Sequence, residues 1–306
     1  ALDIFNYTSM SFPDFTNYSI ENLDPDPDIY IWNKRDVLSL TLVAINITYE
    51  LCYDLNHNLC NEYNKPSLPS NYKLIKQFYS QDCYGDSLDL DSNQDQSGGF
   101  IGCSAGAYLL RQGDNLIMLF RGARTLLDWS RVFSSKKKNI TYVDADIFSS
   151  SGPLEKYNQM RDEIWEEISK QRDYKNIYVW GYSLGSTQAT LFTQDLIANK
   201  MNGLINKRVK VITYILGTFK ISSKALIDSL IEGENDDVIL YRIETENEFT
   251  RYWPPRYWFD GPFKIVRFYP APNIITIPMT HFGVLVGHNL VSYVESLIKI
   301  NYGITQ

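Results

Sequence analysis

The hydrophobic pattern in the second half of the chain predicts strands and helices in alternation. The run NIYVW, residues 176–180, is β-branched and aromatic, which is typical of a buried strand. The segment STQATLFTQDLIAN that follows Leu184-Gly185 spaces its apolar residues near helical intervals. Further strands are predicted at VKVITYILG and DVILYRI, with a helix between them from about Ser223 to Ile231. This alternation predicts an α/β fold, with a mainly parallel sheet covered by helices on both faces.

The flanking segments add three helices and a hairpin. Apolar residues are dense enough for a buried helix from Asp36 to Cys52, and PLEKYNQMRDEIWEEISK has one apolar helical face. Two apolar runs joined by GDN, namely GFIGCSAGAYLLRQ and NLIMLFRGA, predict a hairpin. After His288, a stripe with helical spacing predicts a last, core-facing helix; its members are Leu290, Tyr293, Val294, Leu297 and Ile298.

The other N-terminal segments have no clear periodicity. Residues 54–98 are rich in loop-forming residues, and the first 35 residues are polar and interrupted by prolines. No internal repeat or low-complexity linker divides the chain. We therefore expect a single domain over residues 1–306, with an irregular N-terminal arm at residues 1–35.

Composition limits the classes of function. The 306 residues carry a formal net charge of −7, so nucleic acid is not an expected partner. No run of about 20 apolar residues is present, so no transmembrane segment is expected. The chain begins with ALDIF and shows no signal peptide, which we interpret as a mature or trimmed product. Its cysteines lack the spacing and histidine partners of a zinc site, so neither a metal nor a cofactor is expected.

Cysteines and glycosylation motifs favour the secretory pathway. The cysteines are even in number and all fall in the first third of the chain: Cys52, Cys60, Cys83 and Cys103. Four N-x-S/T sequons offer sites for glycosylation: Asn6, Asn17, Asn46 and Asn139. Together they predict a secreted protein with disulfide bonds. We favour Cys52 with Cys60, a short local loop, and Cys83 with Cys103, but the sequence permits three pairings.

One short motif carries a candidate nucleophile. Gly181-Tyr182-Ser183-Leu184-Gly185 matches G-x-S-x-G and lies between the predicted strand at residues 176–180 and a predicted helix. That context is the one a nucleophile elbow requires, since a sharp turn exposes the serine and glycines let strand and helix approach. An ordinary turn serine is the alternative interpretation.

A serine needs a histidine to take its proton, and the chain has three candidates. His57 precedes the predicted sheet, whereas His281 and His288 follow its last strand, where an α/β-hydrolase places its base. His288 comes directly before the last helix, so its ring could project from a loop over the sheet edge. We favour His288 as the base; a surface histidine is the alternative for either.

Four segments in the same order resemble the class 3 (fungal-type) triacylglycerol lipases, which are secreted α/β-hydrolases. LIMLFRGARTLLDW is similar to the family's strand I-x-x-x-F-R-G-[ST] and the lid after it, and IYVWGYSLGSTQA is similar to its elbow. YILGTFKIS is a degraded form of T-F-G-x-P-R-V-G. LYRIETENEFTRYWPP aligns without a gap to the segment that carries the family's catalytic acid. The resemblance covers roughly residues 36–300 and is much more specific than G-x-S-x-G alone.

The resemblance implies roles for individual residues. Ser183 would be the nucleophile and His288 the general base, and the backbone N–H groups of Leu184 and Ala123 would hold the oxyanion. Four positions depart from the family pattern. Ala123 replaces a serine or threonine, Tyr182 the elbow histidine, Ser186 a glycine and Glu248 an aspartate.

The fourth departure, a glutamate in place of an aspartate, falls at the position of the catalytic acid. The gap-free alignment places Glu248 there, and a glutamate carboxylate can also accept the imidazole N–H. The alternatives are less well placed: Asp236 and Asp237 precede the strand DVILYRI, Glu244 and Glu246 lie close to its end, and Asp260 follows the Pro-Pro turn. A solvated loop glutamate is the other interpretation of Glu248.

The segment ARTLLDWSRVF, residues 123–133, resembles the family's mobile lid. Its apolar residues, Trp129 among them, would suit a lipid interface, although a core helix would have the same spacing.

The sequence therefore predicts a secreted carboxylic ester hydrolase that acts on a lipid or ester substrate, most simply a lipase with a Ser-His-acid triad. Phospholipase A1, a soluble-ester esterase and a non-catalytic lipid-binding protein remain as alternatives.

Overall fold

A computed structural model of the chain gives its fold. It describes residues 18–24, 32–48, 67–80, 105–123, 136–143, 147–220, 222–233, 237–246, 248, 250, 258–259, 265–266, 274–277 and 290–303.

The described residues form a central sheet of seven strands, which in their order across the sheet are β1 (Tyr72–Phe78), β2 (Ala107–Gln112), β3 (Asn115–Phe120), β6 (Asn176–Tyr182), β7 (Lys210–Leu216), β8 (Val238–Thr245) and β11 (Ile274–Ile277). The first three strands are antiparallel neighbours, and β3, β6, β7, β8 and β11 run parallel. The mostly parallel sheet confirms the α/β fold predicted from the alternation of strands and helices.

Two short ribbons lie outside this sheet. β4 (Lys137–Asn139) pairs with β5 (Phe148–Ser150), and β9 (Trp258–Phe259) pairs with β10 (Ile265–Val266), both antiparallel. The hairpin predicted around GDN is confirmed, because β2 and β3 are joined by Gly113 and Asp114.

Helices cover both faces of the sheet, as the pattern predicts. They are α1 (Lys34–Thr48), α2 (Ser151–Lys170), α3 (Leu184–Met201), α4 (Lys224–Gly233) and α5 (Leu290–Tyr302). Apolar side chains of α1 and α5 share one core with one sheet face, and those of α2, α3 and α4 share a second core with the other face. The predicted stripe of the last helix is fully buried in the first core, from Leu290 to Ile298.

One strand, β1, lies within residues 54–98, the stretch that is rich in loop-forming residues. The first and last residues of this strand are buried, whereas the residues between them are exposed or half-buried. Its pairing register with β2 shifts between Leu74 and Lys76. The irregular middle removes the alternating pattern that identifies a half-buried strand. Residues 54–66 and 81–98 lie outside the described residues.

The described part of the N-terminal arm, residues 18–24, has no helix or strand. Side chains of the core elements nevertheless hold its backbone. Tyr72 donates to the carbonyl of Glu21 at 2.7 Å, and Gln112 accepts from the N–H of Leu23 at 3.2 Å. Over the ranges given above, no helix is both long and apolar enough to cross a membrane.

Candidate active site

Ser183 occupies a strained turn between β6 and α3. Its backbone φ is 54°, a left-handed value that is uncommon for a residue with a side chain. Its N–H donates to the carbonyl of Leu216 in β7 at 3.0 Å, which ties the turn to the end of the neighbouring strand. This geometry is that of a nucleophile elbow, in which a strained serine stands at the carboxyl edge of a parallel sheet.

The two glycines of the motif are required by close backbone approach. A Cβ atom on Gly181 would meet the carbonyl of Gly185 and lie 2.8 Å from Cβ of Ala189. A Cβ atom on Gly185 would collide with the backbone of Phe120 and Arg121 at the end of β3. Any side chain at either position would therefore push α3 away from the sheet and move the serine.

The close approach of Gly185 also packs the start of α3, where Leu184 lies, against the end of β3, and the segment beyond that strand contains Ala123. Leu184 is the first residue of α3, so its N–H has no acceptor one turn earlier in that helix. Ala123 is buried three residues beyond the end of β3, in the segment whose start packs against Gly185. The segment is held in turn by Arg121, which donates through Nε to the carbonyl of Ala105 at 2.8 Å.

Hydroxyl groups brace the first turns of α3. Ser186 donates to the carbonyl of Ser183 at 2.5 Å, Thr187 to that of Leu184 at 2.6 Å, and Thr190 to that of Ser186 at 2.9 Å. Ser186 stands where the resembled family has a glycine. Its hydroxyl therefore fixes the carbonyl of the candidate nucleophile itself.

Glu248 lies three residues past β8, fully buried, at the same edge of the sheet as Ser183. Its N–H donates to the carbonyl of Thr245 at 3.1 Å, which closes a tight turn. One carboxylate oxygen, Oε1, accepts the N–H of Thr250 at 3.1 Å, and the other, Oε2, accepts the hydroxyl of Tyr293 at 2.5 Å. A buried carboxylate with these donors is held in one orientation, in contrast to a solvated loop glutamate.

Tyr293 links this carboxylate to the elbow. It belongs to the first turns of α5, and its ring lies 6.2 Å from the ring of Tyr182, edge to face. Burial raises the pKa of Tyr293 well above its ordinary value, and the negative Glu248 raises it further. The phenol therefore stays protonated and acts as a donor. The sequence pattern identified Tyr293 only as a member of the core-facing stripe. Its hydroxyl is nevertheless a polar group within an apolar stripe, which indicates that it has a hydrogen-bond partner in the core.

Two other carboxylates that were alternatives for the catalytic acid are described by the structure, and both lie in different surroundings from Glu248. Glu244 is a residue of β8 itself and forms a buried ion pair with Arg242. Asp237 immediately precedes β8, at the opposite end of the strand from Glu248.

Several predicted site residues lie outside the described residues. They are His57, His281, His288, Trp129, Asp236, Asp260, Asn6, Asn17 and the cysteines Cys52, Cys60, Cys83 and Cys103. Of the two described sequons, Asn139 is exposed on β4, and Asn46 is half-buried in the last turn of α1.

The strained turn at Ser183 and the mostly parallel sheet behind it are those of the α/β-hydrolase fold. Residues 117–228 match the family model described as lipase (class 3), a stretch that includes Ala123, Ser183 and Leu184 and ends before Glu248. The matched stretch is 112 of the 306 residues, and over it the chain is similar to the class 3 lipases, which are carboxylic ester hydrolases. A search of curated proteins gave no match.

Solved structures of fungal lipases share the fold. The triacylglyceride lipase of Rhizomucor miehei is 17% identical, with a TM-score of 0.50 and 82% of each chain covered. Its propeptide complex is 15% identical, with a TM-score of 0.51, and covers 94% of this chain and 88% of its own. A nonglycosylated LIP2 lipase of Yarrowia lipolytica is 18% identical, with a TM-score of 0.50 and 79% of each chain covered.

Proposed function

We propose that this protein is a secreted serine lipase that hydrolyses carboxylic ester bonds of acylglycerols through an acyl-enzyme on Ser183. The observation that carries the proposal is the strained conformation of Ser183, with φ of 54°, at the sheet edge where Glu248 is also buried. Strain of this kind persists only where the surrounding structure enforces it, and it is concentrated at functional sites.

The proposed first step is attack by Oγ of Ser183 on the ester carbonyl carbon, while His288 accepts the hydroxyl proton. The carbonyl oxygen becomes an oxyanion that accepts hydrogen bonds from the N–H groups of Leu184 and Ala123. Collapse breaks the bond to the alcohol, which leaves with the proton from His288. Water then attacks the acyl-enzyme by the same route and releases the fatty acid and free Ser183.

Glu248 has the role of the acid that orients and stabilises the imidazolium of His288. Its burial and its two fixed donors support this role, because a held carboxylate needs no reorganisation when the positive charge develops. His288 precedes α5 by two residues, and Tyr293 brings the start of that helix against Glu248. Four residues separate His288 from Tyr293 in the sequence, and we propose that the imidazole of His288 approaches the same carboxylate.

Access to lipid would be controlled by residues 123–133, with Trp129 on the apolar face of a lid. Secretion remains part of the proposal and rests on the cysteine count and the sequons, of which Asn139 is exposed enough to accept a glycan.

One observation favours a second candidate, a lipase-like protein without catalysis. The methyl group of Ala123 cannot donate the hydrogen bond that a serine or threonine hydroxyl adds to an oxyanion. Removing one oxyanion donor costs a factor of roughly 100 to 1,000 in kcat, so slow turnover is compatible with the lipase, whereas complete inactivity is not.

Hydrolysis of p-nitrophenyl butyrate, with and without a serine-directed phosphonate, distinguishes the two. The lipase proposal predicts turnover that one equivalent of phosphonate abolishes, with the adduct on the peptide that contains Ser183. A folded protein that neither hydrolyses the ester nor takes up the phosphonate would be the non-catalytic candidate.

A further inference from the structure

The end of α3 that lies far from the elbow presents two large apolar side chains to solvent. Met201 is 76% exposed and Leu204 is 75% exposed, the highest values for large apolar side chains among the described residues. They are three residues apart in one turn. We call residues 201–208 the α3 tip.

The backbone of the α3 tip is ordered by hydrogen bonds, so this exposure is a fixed feature of the turn. Gly203 has φ of 76° and donates to the carbonyl of Lys200 at 3.2 Å, and Leu204 donates to that of Asn199 at 2.9 Å. This pair of bonds is a Schellman motif, in which the residue at the position of Leu204 commonly packs back on the helix. Here Leu204 points outward, and Ile205, which is 2% exposed, anchors the turn instead.

Cationic residues follow the exposed apolar pair along the chain. Lys207 and Arg208 are exposed, Lys210 is half-buried, and none of the three forms an ion pair with any residue that the structure describes. The stretch of residues 200–210 contains no acidic residue. Nearby, Asp237 attracts Lys200, whose ammonium is engaged with the carbonyl of Val209 at 2.6 Å.

We infer that the α3 tip docks on the surface of an anionic lipid bilayer. Two projecting apolar side chains with cations beside them match the interfacial region of such a membrane, where acyl chains lie below negative headgroups. A protein partner is less well supported, since a stable protein interface needs roughly 800 Å² from each side and the remainder of the tip is polar.

The α3 tip is separate from the candidate active site. The 18 residues of α3 span about 27 Å from Leu184 to Met201, and the two ends lie at opposite edges of the sheet. Docking through the tip would therefore tether the protein with Ser183 facing away from that bilayer. The inference does not depend on the role of Ser183, and a catalytically silent variant can test it.

The test is co-sedimentation of the Ser183→Ala chain with vesicles of phosphatidylcholine alone, or of phosphatidylcholine and phosphatidylglycerol at a ratio of about 3 to 1. Two pair variants are made on this background, M201S/L204S and K207E/R208E. The control pair is K73E/L74S, which removes an adjacent cation and a 42% exposed leucine from β1.

We expect the anionic vesicles to bind the chain more tightly than the neutral ones, with a difference that added salt reduces. Each tip variant should lose about tenfold or more of the partition onto anionic vesicles, while the control pair should lose little. Unchanged binding in the tip variants, or an equal loss in the control pair, would overturn the inference. Equal binding to anionic and neutral vesicles would also overturn the inference, and a protein partner would then be the alternative for the α3 tip.

Discussion

The hydroxyl of Tyr293 donates a 2.5 Å hydrogen bond to Oε2 of Glu248, and both groups are fully buried. The bond joins the first turns of α5 to the turn beyond β8, at the sheet edge that carries Ser183. Tyr293 also packs edge to face against Tyr182, the residue before Ser183. Two positions that depart from the resembled family, Tyr182 and Glu248, therefore meet through one side chain.

Tyr293→Phe should weaken both activity and stability, because it keeps the ring but removes a donor from a buried carboxylate. We expect a loss of roughly 1–3 kcal/mol in the free energy of unfolding and about a tenfold fall in kcat. Urea denaturation would measure the loss of stability, and ester hydrolysis kinetics at 25 °C would measure the fall in kcat.

The matched control is Tyr174→Phe, a half-buried tyrosine before β6 whose hydroxyl has no hydrogen bond with the described residues. If Tyr293 positions Glu248, Tyr293→Phe should have almost no further effect on kcat in a Glu248→Gln background. Full additivity of the two changes would show that Tyr293 acts on the fold alone.

Glu248→Gln should reduce kcat by orders of magnitude, about 10⁴ where a triad acid has been neutralised elsewhere. The change keeps size and shape but removes the charge that stabilises an imidazolium, so the acid limb of kcat/KM should also move to lower pH. Asp260→Asn is the comparison variant. Full activity in Glu248→Gln, with the loss in Asp260→Asn instead, would move the acid role to Asp260.

Asp195 should be a large contributor to stability, because its buried carboxylate connects α2 to α3. It accepts hydrogen bonds from Tyr157, Trp165 and Asn199 and two from Arg161, at 2.6–3.0 Å. Asp195→Ala should cost about 3–5 kcal/mol in the free energy of unfolding, since it leaves the guanidinium without its buried partner. Urea denaturation would measure this loss.

Asp162→Ala is the control for that experiment. Asp162 also lies near Arg161, with 3.6 Å between Oδ1 and Nη1, but its side chain is 98% exposed. We expect no measurable change in unfolding there, because solvent screens an exposed pair. Equal effects of the two alanine variants would contradict the structural role of Asp195.

Asp36 should make the protein less stable as pH rises from about 4 to 7. Burial raises the pKa of Asp36 from 3.8 to about 7, against the opposing effect of the hydrogen bond from Tyr178. The folded state thus holds a proton that the unfolded state loses near pH 4. The contribution of Asp36 to the free energy of unfolding is therefore complete below its pKa in the unfolded state. It is lost as the pH rises to its pKa in the folded state, and the total loss is up to about 4 kcal/mol.

Asp36→Asn should flatten this part of the stability curve, because an amide does not titrate. Thermal or urea unfolding between pH 4 and 8 would measure the change, with the exposed Asp162→Asn as the control. A wild-type curve that rises steadily from pH 4 to 7 and is unaltered by Asp36→Asn would contradict the assignment.

The parts of the fold that were predicted correctly are those with a regular pattern. The parallel strands β6, β7 and β8 are continuous apolar runs, and α5 carries a repeating stripe, so local sequence determines both. β1 was missed because its middle faces solvent, and β4 and β5 are too short to show a period.

The candidate site could be predicted only in part for a different reason. Ser183 lies in a motif whose glycines have a local steric purpose, and the sequence displays that motif directly. The hydrogen bond between Tyr293 and Glu248 joins residues 45 positions apart, and no local pattern encodes such a pair. Whether His288 completes the triad remains a proposal based on its place in the sequence.

The central claim is that Ser183 forms the acyl-enzyme, and Ser183→Ala tests it most directly. Hydrolysis of p-nitrophenyl butyrate should fall by at least about 10³-fold, while the unfolding transition stays near that of wild type. Ser186→Ala, which removes only the hydroxyl that braces the carbonyl of Ser183, should lose less than about tenfold. Near-normal turnover by a folded Ser183→Ala protein would contradict the claim.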